Sequence, residues 1–320
     1  MEIYLFLFLF NLIFLIFNKS IANILNLYDS PNAERKIHKS SIPITGGLII
    51  FLNFLIFYIY AGKIFDNNLN SNLFLITSII LFLLGIIDDK FDIQSNIKFL
   101  LLTLIIFPIV YLDQGLHLDN IRLSFLDNEY NIGKFGIAWT ILCLLLFINA
   151  LNMFDGINLQ VGLYSLFILT FFILSNLNIT LFIFIFIGIL SFLFLNFKSK
   201  SFLGDGGSYL IAFIIGYSFI KMYDAKIIYY ADQIVLFMVI PGYDLMRLFA
   251  IRILNKKNPF SADKNHLHHL LLTRFPYYAV ITIIQLLVFV PIIFSILFGH
   301  TLFFIFISLI IYTFIVYRLS

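Results

Sequence analysis

Carboxylates give the first chemical signal. Asp88 and Asp89 are adjacent at the end of a long apolar run, and Asp92 follows one helical turn on. Positions i and i+4 share a helix face, so Asp88 and Asp92 are expected to point together, with Asp89 offset. Neighbouring carboxylates repel, and a divalent cation relieves that cost; Mg²⁺ takes one or two carboxylates and fills its remaining positions with water and phosphate oxygens. An isolated Asp-Asp pair can equally mark a plain helix end. Asp205, within Phe202-Leu-Gly-Asp-Gly-Gly-Ser208, shifts that balance. It is expected to open a helix where Gly204, Gly206 and Gly207 let the backbone approach a ligand and free N–H groups favour an anion. Alone, the segment also reads as a glycine-rich turn with an N-cap. Two acidic helix ends favour a shared metal.

Three further clusters carry polar chemistry. Asn149, Asn152, Asp155 and Asn158 are each three residues from the next, with Gly156 breaking the run. On a helical turn this spacing lines up amide and carboxylate groups suited to a sugar or a nucleobase edge; in a loop the same residues satisfy turn backbone. His266, His268 and His269 follow Asp263 and Lys264. With hard carboxylates elsewhere and no cysteine nearby, phosphate binding is favoured over a transition metal, a solvated histidine loop being the plain alternative. Pro31, Pro43, Gly46 and Gly47 bracket a basic loop containing Arg35, Lys36, His38 and Lys39, which suits anionic head groups.

The elements that must hold these residues are membrane spans. The chain of 320 residues is 62% hydrophobic and 12% charged, far more apolar than soluble domains. Apolar runs of the required length of about 20 residues fall near 2–26, 44–62, 71–88, 97–113, 135–152, 157–175, 178–197, 207–223, 232–251, 277–298 and 300–318. The first has no preceding Lys or Arg and no small-residue cleavage site after it, so it reads as a retained span rather than a signal peptide. The expected fold is an all-α polytopic membrane protein of about eleven transmembrane helices, a single integral membrane domain over 1–320. A net charge of +3 with scattered basic residues gives no nucleic-acid surface, and a single cysteine, Cys143, excludes an internal disulfide and a cysteine metal site.

Alternating the spans places fourteen basic residues (Arg35, Lys36, Lys39, Lys90, Lys98, Lys198, Lys200, Arg247, Arg252, Lys256, Lys257, Lys264, Arg274 and Arg318) on one side. The other side receives Lys63, Arg122, Lys134, Lys221 and Lys226. By the positive-inside rule the richer side is cytoplasmic and the N-terminus faces outward. All five polar clusters fall on that cytoplasmic side. In the longest external loop, about 113–134, the alternation of Ile121-Arg-Leu-Ser-Phe125 suits a short strand and a β-hairpin.

Together these segments resemble the polyprenyl-phosphate N-acetylhexosamine-1-phosphate transferases, a superfamily that includes the phospho-N-acetylmuramoyl-pentapeptide transferases. The matching pieces are Pro31-Asn32…Arg35-Lys36-Ile37-His38…Pro43…Gly46-Gly47, Asp88-Asp89, Asn149-Ala-Leu-Asn-Met-Phe-Asp-Gly156, Phe202-Leu-Gly-Asp-Gly-Gly-Ser208, and Pro259-Phe…Asp263…His266-Leu-His-His269. They run in family order over about 29–270. The resemblance implies an enzyme of the bacterial cytoplasmic membrane that moves a sugar 1-phosphate from a UDP-N-acetylhexosamine to undecaprenyl phosphate, releases UMP and uses Mg²⁺, with Mn²⁺ as a substitute. It implies metal binding by Asp205 and Asn152 with Asp88 and Asp89, and catalytic roles for Asp88, Asp89, Asp155 and Asp205. Lys36, His38, Lys39, Asn149, Asn152, Asn158, Asp263, His266, His268 and His269 inherit substrate binding. Membrane lipid and a homodimer are further expected partners. Two departures stand out: Asn158 replaces a second aspartate common in the family, and Lys264 replaces an arginine. The last loop resembles the branch using simple N-acetylated hexosamines, which points to lipid-linked surface polysaccharide. The muramoyl-pentapeptide branch and a lipid or solute transporter are the competing readings.

Overall fold

Twelve α-helices, among the residues described, account for nearly all the regular structure of the computed structural model, which describes residues 2–30, 40–61, 69–259 and 265–319. In chain order they are α1 (Glu2–Leu25), α2 (Gly46–Ala61), α3 (Leu69–Phe91), α4 (Ser95–Leu112), α5 (Gly136–Phe154), α6 (Gln160–Leu174), α7 (Ile179–Phe197), α8 (Gly204–Asp224), α9 (Ala231–Leu254), α10 (Leu267–Leu272), α11 (Tyr277–Phe298) and α12 (Thr301–Leu319). Four two-residue strands, β1 (Tyr28–Asp29), β2 (Ile42–Pro43), β3 (Asn120–Ile121) and β4 (Tyr130–Asn131), and two single-turn 3₁₀ helices (Gln114–Leu116 and Gly133–Phe135) complete the set among the described residues. Each of the eleven apolar runs read from the sequence is a helix, and α10 is an additional short one within the histidine segment. Eight of the described helices (α1, α3, α4, α5, α7, α9, α11 and α12) are long and apolar enough to cross a membrane; α2 and α6 are shorter apolar helices. The chain is thus an all-α polytopic membrane protein.

Backbone contacts divide the chain into two compact units. The first comprises residues Met1–Ile93 and Val161–Ile211, the second Gln94–Gln160 and Ala212–Ser320.

In the first unit, polar groups inside apolar helices are matched in pairs. Asn11 of α1 and Asn53 of α2 exchange reciprocal amide hydrogen bonds of 2.9 and 3.0 Å, and each also donates to its own helix, to Leu7 O and Ile49 O. In an apolar environment such pairing both satisfies the amides and fixes which helix faces meet. Helices α2 and α7 pack closely because Gly188 has no side chain: a Cβ there would lie 3.2 Å from Asn53 and from the Ile50 backbone. Helix α1 ends in a left-handed cap at Asn26, with Leu27 N–H donating to Ala22 O. The chain then forms β1, paired antiparallel to β2 (Tyr28↔Pro43, Asp29↔Ile42). Beyond β2, Pro43 O accepts from Phe202 N (2.8 Å), while Gly46 N and Gly47 N donate to Phe202 O and Leu203 O (both 2.9 Å). These bonds bring the starts of α2 and α8 together.

In the second unit, β3 pairs antiparallel with β4 (Asn120↔Asn131, Ile121↔Tyr130), so the anticipated hairpin exists but its ladder stops before the expected 121–125 strand is complete. The reason is competition for backbone donors: Arg122 N–H goes to the Tyr223 hydroxyl and Ser124 N–H to Asp232, both at 2.7 Å. The Arg122 guanidinium lies 4.6 Å from the ring centres of both Tyr223 and Tyr229. Buried Asp113 pairs with Lys221 at 2.7 Å.

Candidate functional site

The acidic end of the first unit is built from the C-terminus of α3 and the N-terminus of α8. Carboxylates at a helix C-terminus face the negative end of the helix dipole, so Asp88 and Asp89 do not serve to stabilise α3. Asp89 instead caps α8: Oδ1 accepts from Asp205 N at 3.0 Å and Oδ2 from Gly206 N at 3.5 Å. The backbone donors expected to be free for an anionic ligand are therefore engaged by a carboxylate of the chain itself. Asp88, 4% exposed, accepts from the Tyr209 hydroxyl of α8 (2.9 Å) and from Ile93 N (3.0 Å). Asp92 does not share its face, because α3 stops at Phe91 and Asp92 turns into the left-handed region (φ 50°) with an exposed side chain.

The glycines of this segment permit helix contact rather than ligand approach. A Cβ on Gly85 of α3 would lie 2.3 Å from Gly206 N, and one on Gly47 2.5 Å from Gly207 N. Gly204 adopts φ +74°, and a Cβ there would come within 2.7 Å of Asp89 Oδ2. Side chains at these positions would separate the helices and pull the three carboxylates apart.

The structure thus sets Asp89 against the backbone of Asp205 and Gly206, and the charges of Asp88 and Asp29 both act on Asp89. Among the described residues, no group of three or more His, Cys, Asp or Glu side chains is placed to hold a metal ion. The donor set still suits a hard cation: all the donors are carboxylate oxygens, and Mg²⁺ needs only one or two protein carboxylates beside water and phosphate. Asp89 accepts from two backbone N–H groups, which hold it in place without cancelling its charge.

The second unit holds the asparagine and histidine segments together. Helix α5 ends at Phe154, so only Asn149 and Asn152 are helical; Asp155 is the C-cap and Asn158 lies in the following turn. The four-residue ladder on one helix face is therefore interrupted. Asn149 donates to Leu145 O (2.7 Å), within its own helix. Asn158 offers its backbone carbonyl to the Tyr277 hydroxyl (3.0 Å). Gly156 makes room for a histidine: a Cβ there would lie 1.9 Å from His268 Nε2. His268 is 2% exposed, and its Nε2 has no hydrogen-bond partner among the described residues. Burial, followed by the charges of His269 and His266, holds its imidazole down to about 3, so it is neutral near pH 7. His266 stacks on His268 with centroids 5.6 Å apart and planes at 7°, and His268 lies 4.2 Å from His269.

Sequence reasoning missed the groups that hold this histidine cluster. Asp244 of α9 accepts from His266 Nδ1 (2.8 Å) and Arg247 Nη2 (2.9 Å), and also from the Tyr312 hydroxyl of α12. Asp244 and Arg247 were visible as charges in an otherwise apolar run; Tyr312 and Tyr209 carried no signal, being tyrosines in apolar helices. Lys36, His38, Lys39 and Asp263 lie outside the described residues.

The family described as "Glycosyl transferase family 4" matches residues 71–223 of the chain. The chain is 30% identical over 285 residues to an undecaprenyl-phosphate alpha-N-acetylglucosaminyl 1-phosphate transferase of Escherichia coli (strain K12), covering 83% of this chain and 74% of that one. It is 31% identical over 284 residues to the protein of the same description from Salmonella typhimurium, with the same coverage. A probable undecaprenyl-phosphate N-acetylglucosaminyl 1-phosphate transferase of Bacillus subtilis (strain 168) is 28% identical over 262 residues, 79% of this chain and 72% of that one.

Proposed function

The chain belongs to glycosyl transferase family 4, and we propose that it transfers an N-acetylhexosamine 1-phosphate, GlcNAc-1-phosphate or a close relative, from a UDP-sugar to undecaprenyl phosphate. UMP is released, and the lipid-linked product starts a surface polysaccharide. The observation that carries this reading is the capping of α8 by Asp89, which, with Asp88 bonded to Tyr209 of α8, ties the acidic end of α3 to the Gly204-Asp205-Gly206-Gly207 start of α8. That is a negatively charged cradle of the kind a diphosphate-bound hard cation requires.

Phosphoryl transfer depends mainly on in-line positioning and on offsetting charge. A lipid phosphate oxygen attacks the sugar-linked phosphorus, a P–O bond forms there, and the bond to the UMP oxygen breaks. An already anionic phosphate needs little base catalysis near neutral pH; Asp88 can take a residual proton. Asp205 with Asp88 or Asp89 would hold Mg²⁺ or Mn²⁺, and that charge, when bound, offsets the diphosphate. In the second unit, His266 and His269 present imidazole nitrogens suited to phosphate oxygens, and Asn152 and Asp155 present groups suited to the nucleotide and sugar. We place the polar clusters of both units on the cytoplasmic side of an inner-membrane protein with eleven spans and an outward N-terminus, as the basic-residue distribution supports.

The test is an assay of the purified full chain with undecaprenyl phosphate, Mg²⁺ and a panel of UDP-N-acetylhexosamines. Release of UMP with one donor is the expected result; no UMP with any donor overturns the proposal. Labelling of single cysteines introduced beside each cluster tests the sidedness, which fails if either the Asp89 or the His269 end reacts from the periplasmic side.

A further inference from the structure

His266 is held on three sides by one charged network. Nδ1 faces Asp244 Oδ2 at 2.8 Å. The next residue in the chain is tied to the same carboxylate, Leu267 N donating to Oδ1 at 3.3 Å. The preceding residue is tied to the partner of that carboxylate, Arg247 Nη2 donating to Asn265 O at 2.5 Å. Tyr312 closes the ring: its oxygen accepts from Arg247 Nε at 2.8 Å while its hydroxyl donates to Asp244. Asp244 is 6% exposed. Burying an ion pair is expensive, and apolar packing would anchor a loop at lower cost, so a buried pair aimed at a ring nitrogen is better explained by what it does to that ring.

An ionised carboxylate only accepts hydrogen bonds, so the nitrogen facing Asp244 must carry the proton. From this we infer that Asp244, braced by Arg247 and by Tyr312 of α12, is a positioning residue: it engages Nδ1–H of His266 and leaves Nε2 as the position whose N–H, once the ring carries both protons, donates to the phosphate oxygens of the nucleotide-sugar donor. The identity of that donor rests on the transferase function proposed above; the control of the ring by Asp244 does not. Among the described residues, the charged and titratable groups around His266 are Asp244 and Arg247 from α9, Tyr312 from α12, and His268 and His269 from α10. The inference gives the C-terminal helix α12 a part in the site although it carries none of the sequence motifs.

Two readouts test it on the full chain in lipid nanodiscs. Nitrogen NMR of histidine-labelled protein, with His266→Gln to identify the resonances, is expected to show Nδ1 of His266 protonated in the parent and that preference lost in Asp244→Asn. In the UMP-release assay, Asp244→Asn is expected to lower kcat/KM about tenfold, the scale on which outer partners of a ligating histidine act. In the His266→Gln background it should add nothing, because both changes remove the same interaction. Tyr312→Phe keeps the ion pair and the helix packing and is expected to give a smaller loss, about threefold, that also vanishes in the His266→Gln background. His266 resonances unaltered by Asp244→Asn, or losses that multiply across the two sites, would overturn the inference. Should Asp244→Asn not fold, Tyr312→Phe decides by the same cycle. If the parent releases no UMP from any donor, the transferase function fails, and the tautomer measurement still decides the role of Asp244.

Discussion

The acidic end of α3 and α8 and the histidine cluster beside α9 both rest on a buried or half-buried carboxylate, at a helix end in the first and within α9 in the second, yet the partners differ in kind. Asp89 is held by two backbone N–H groups. Neutral donors fix position and leave the negative charge in place. Asp244 is held by a guanidinium, which offsets its charge, and faces an imidazole nitrogen, which makes it an orienting group. What a carboxylate can do therefore depends less on its neighbours in sequence than on whether the groups touching it are neutral or cationic.

The strongest way to break this contrast is within the acidic cluster itself. Asp205→Asn is expected to reduce UMP release by about 10²–10³-fold, the scale of a lost electrostatic stabiliser, with no change in the thermal midpoint of the detergent-solubilised protein. Asp89→Ala removes the cap of α8 and should also lower that midpoint, by about 1–2 kcal/mol of stability. Equal midpoints for the two variants would show that Asp89 is not a structural cap.

A smaller effect is expected at Gly156. Gly156→Ala sets a methyl 1.9 Å from His268 Nε2, so the imidazole must shift, at about 1–3 kcal/mol. Reduced turnover with a lowered midpoint is the expected outcome; an unperturbed protein would show that the turn and the histidine are not in contact.

The smallest effect is a pH dependence. His268 is held down to about 3 in the folded protein against its ordinary 6.5. Below pH 6.5 the unfolded chain binds a proton that the folded chain does not, so stability falls as the pH drops from 6.5 towards 3 and is unaffected by this group above 6.5. Thermal midpoints at pH 7 and pH 5 should differ less in His268→Gln than in the parent. An equal drop in both would remove His268 as the source.

The helices were legible because a bilayer leaves few options: about 20 apolar residues with every backbone group satisfied internally means a helix, and all eleven apolar runs are helical. The approach of the α3 and α8 ends was also legible, since acidic residues at the ends of apolar runs are costly and call for a shared purpose. Local spacing was less reliable at helix ends. Asp92 left the face of Asp88, and Asp155 and Asn158 left the ladder begun by Asn149 and Asn152, because periodicity holds only while the helix continues.

By itself the sequence determined the family and the helical membrane architecture, since these follow from composition and short motifs. Only the tertiary structure decided that glycines serve helix contact, that Asp89 caps α8, and that Tyr312 reaches Asp244 from 68 residues away. Those facts depend on which side chains meet across the fold, and hydrogen bonds between distant positions leave no period or spacing in a single chain to be read.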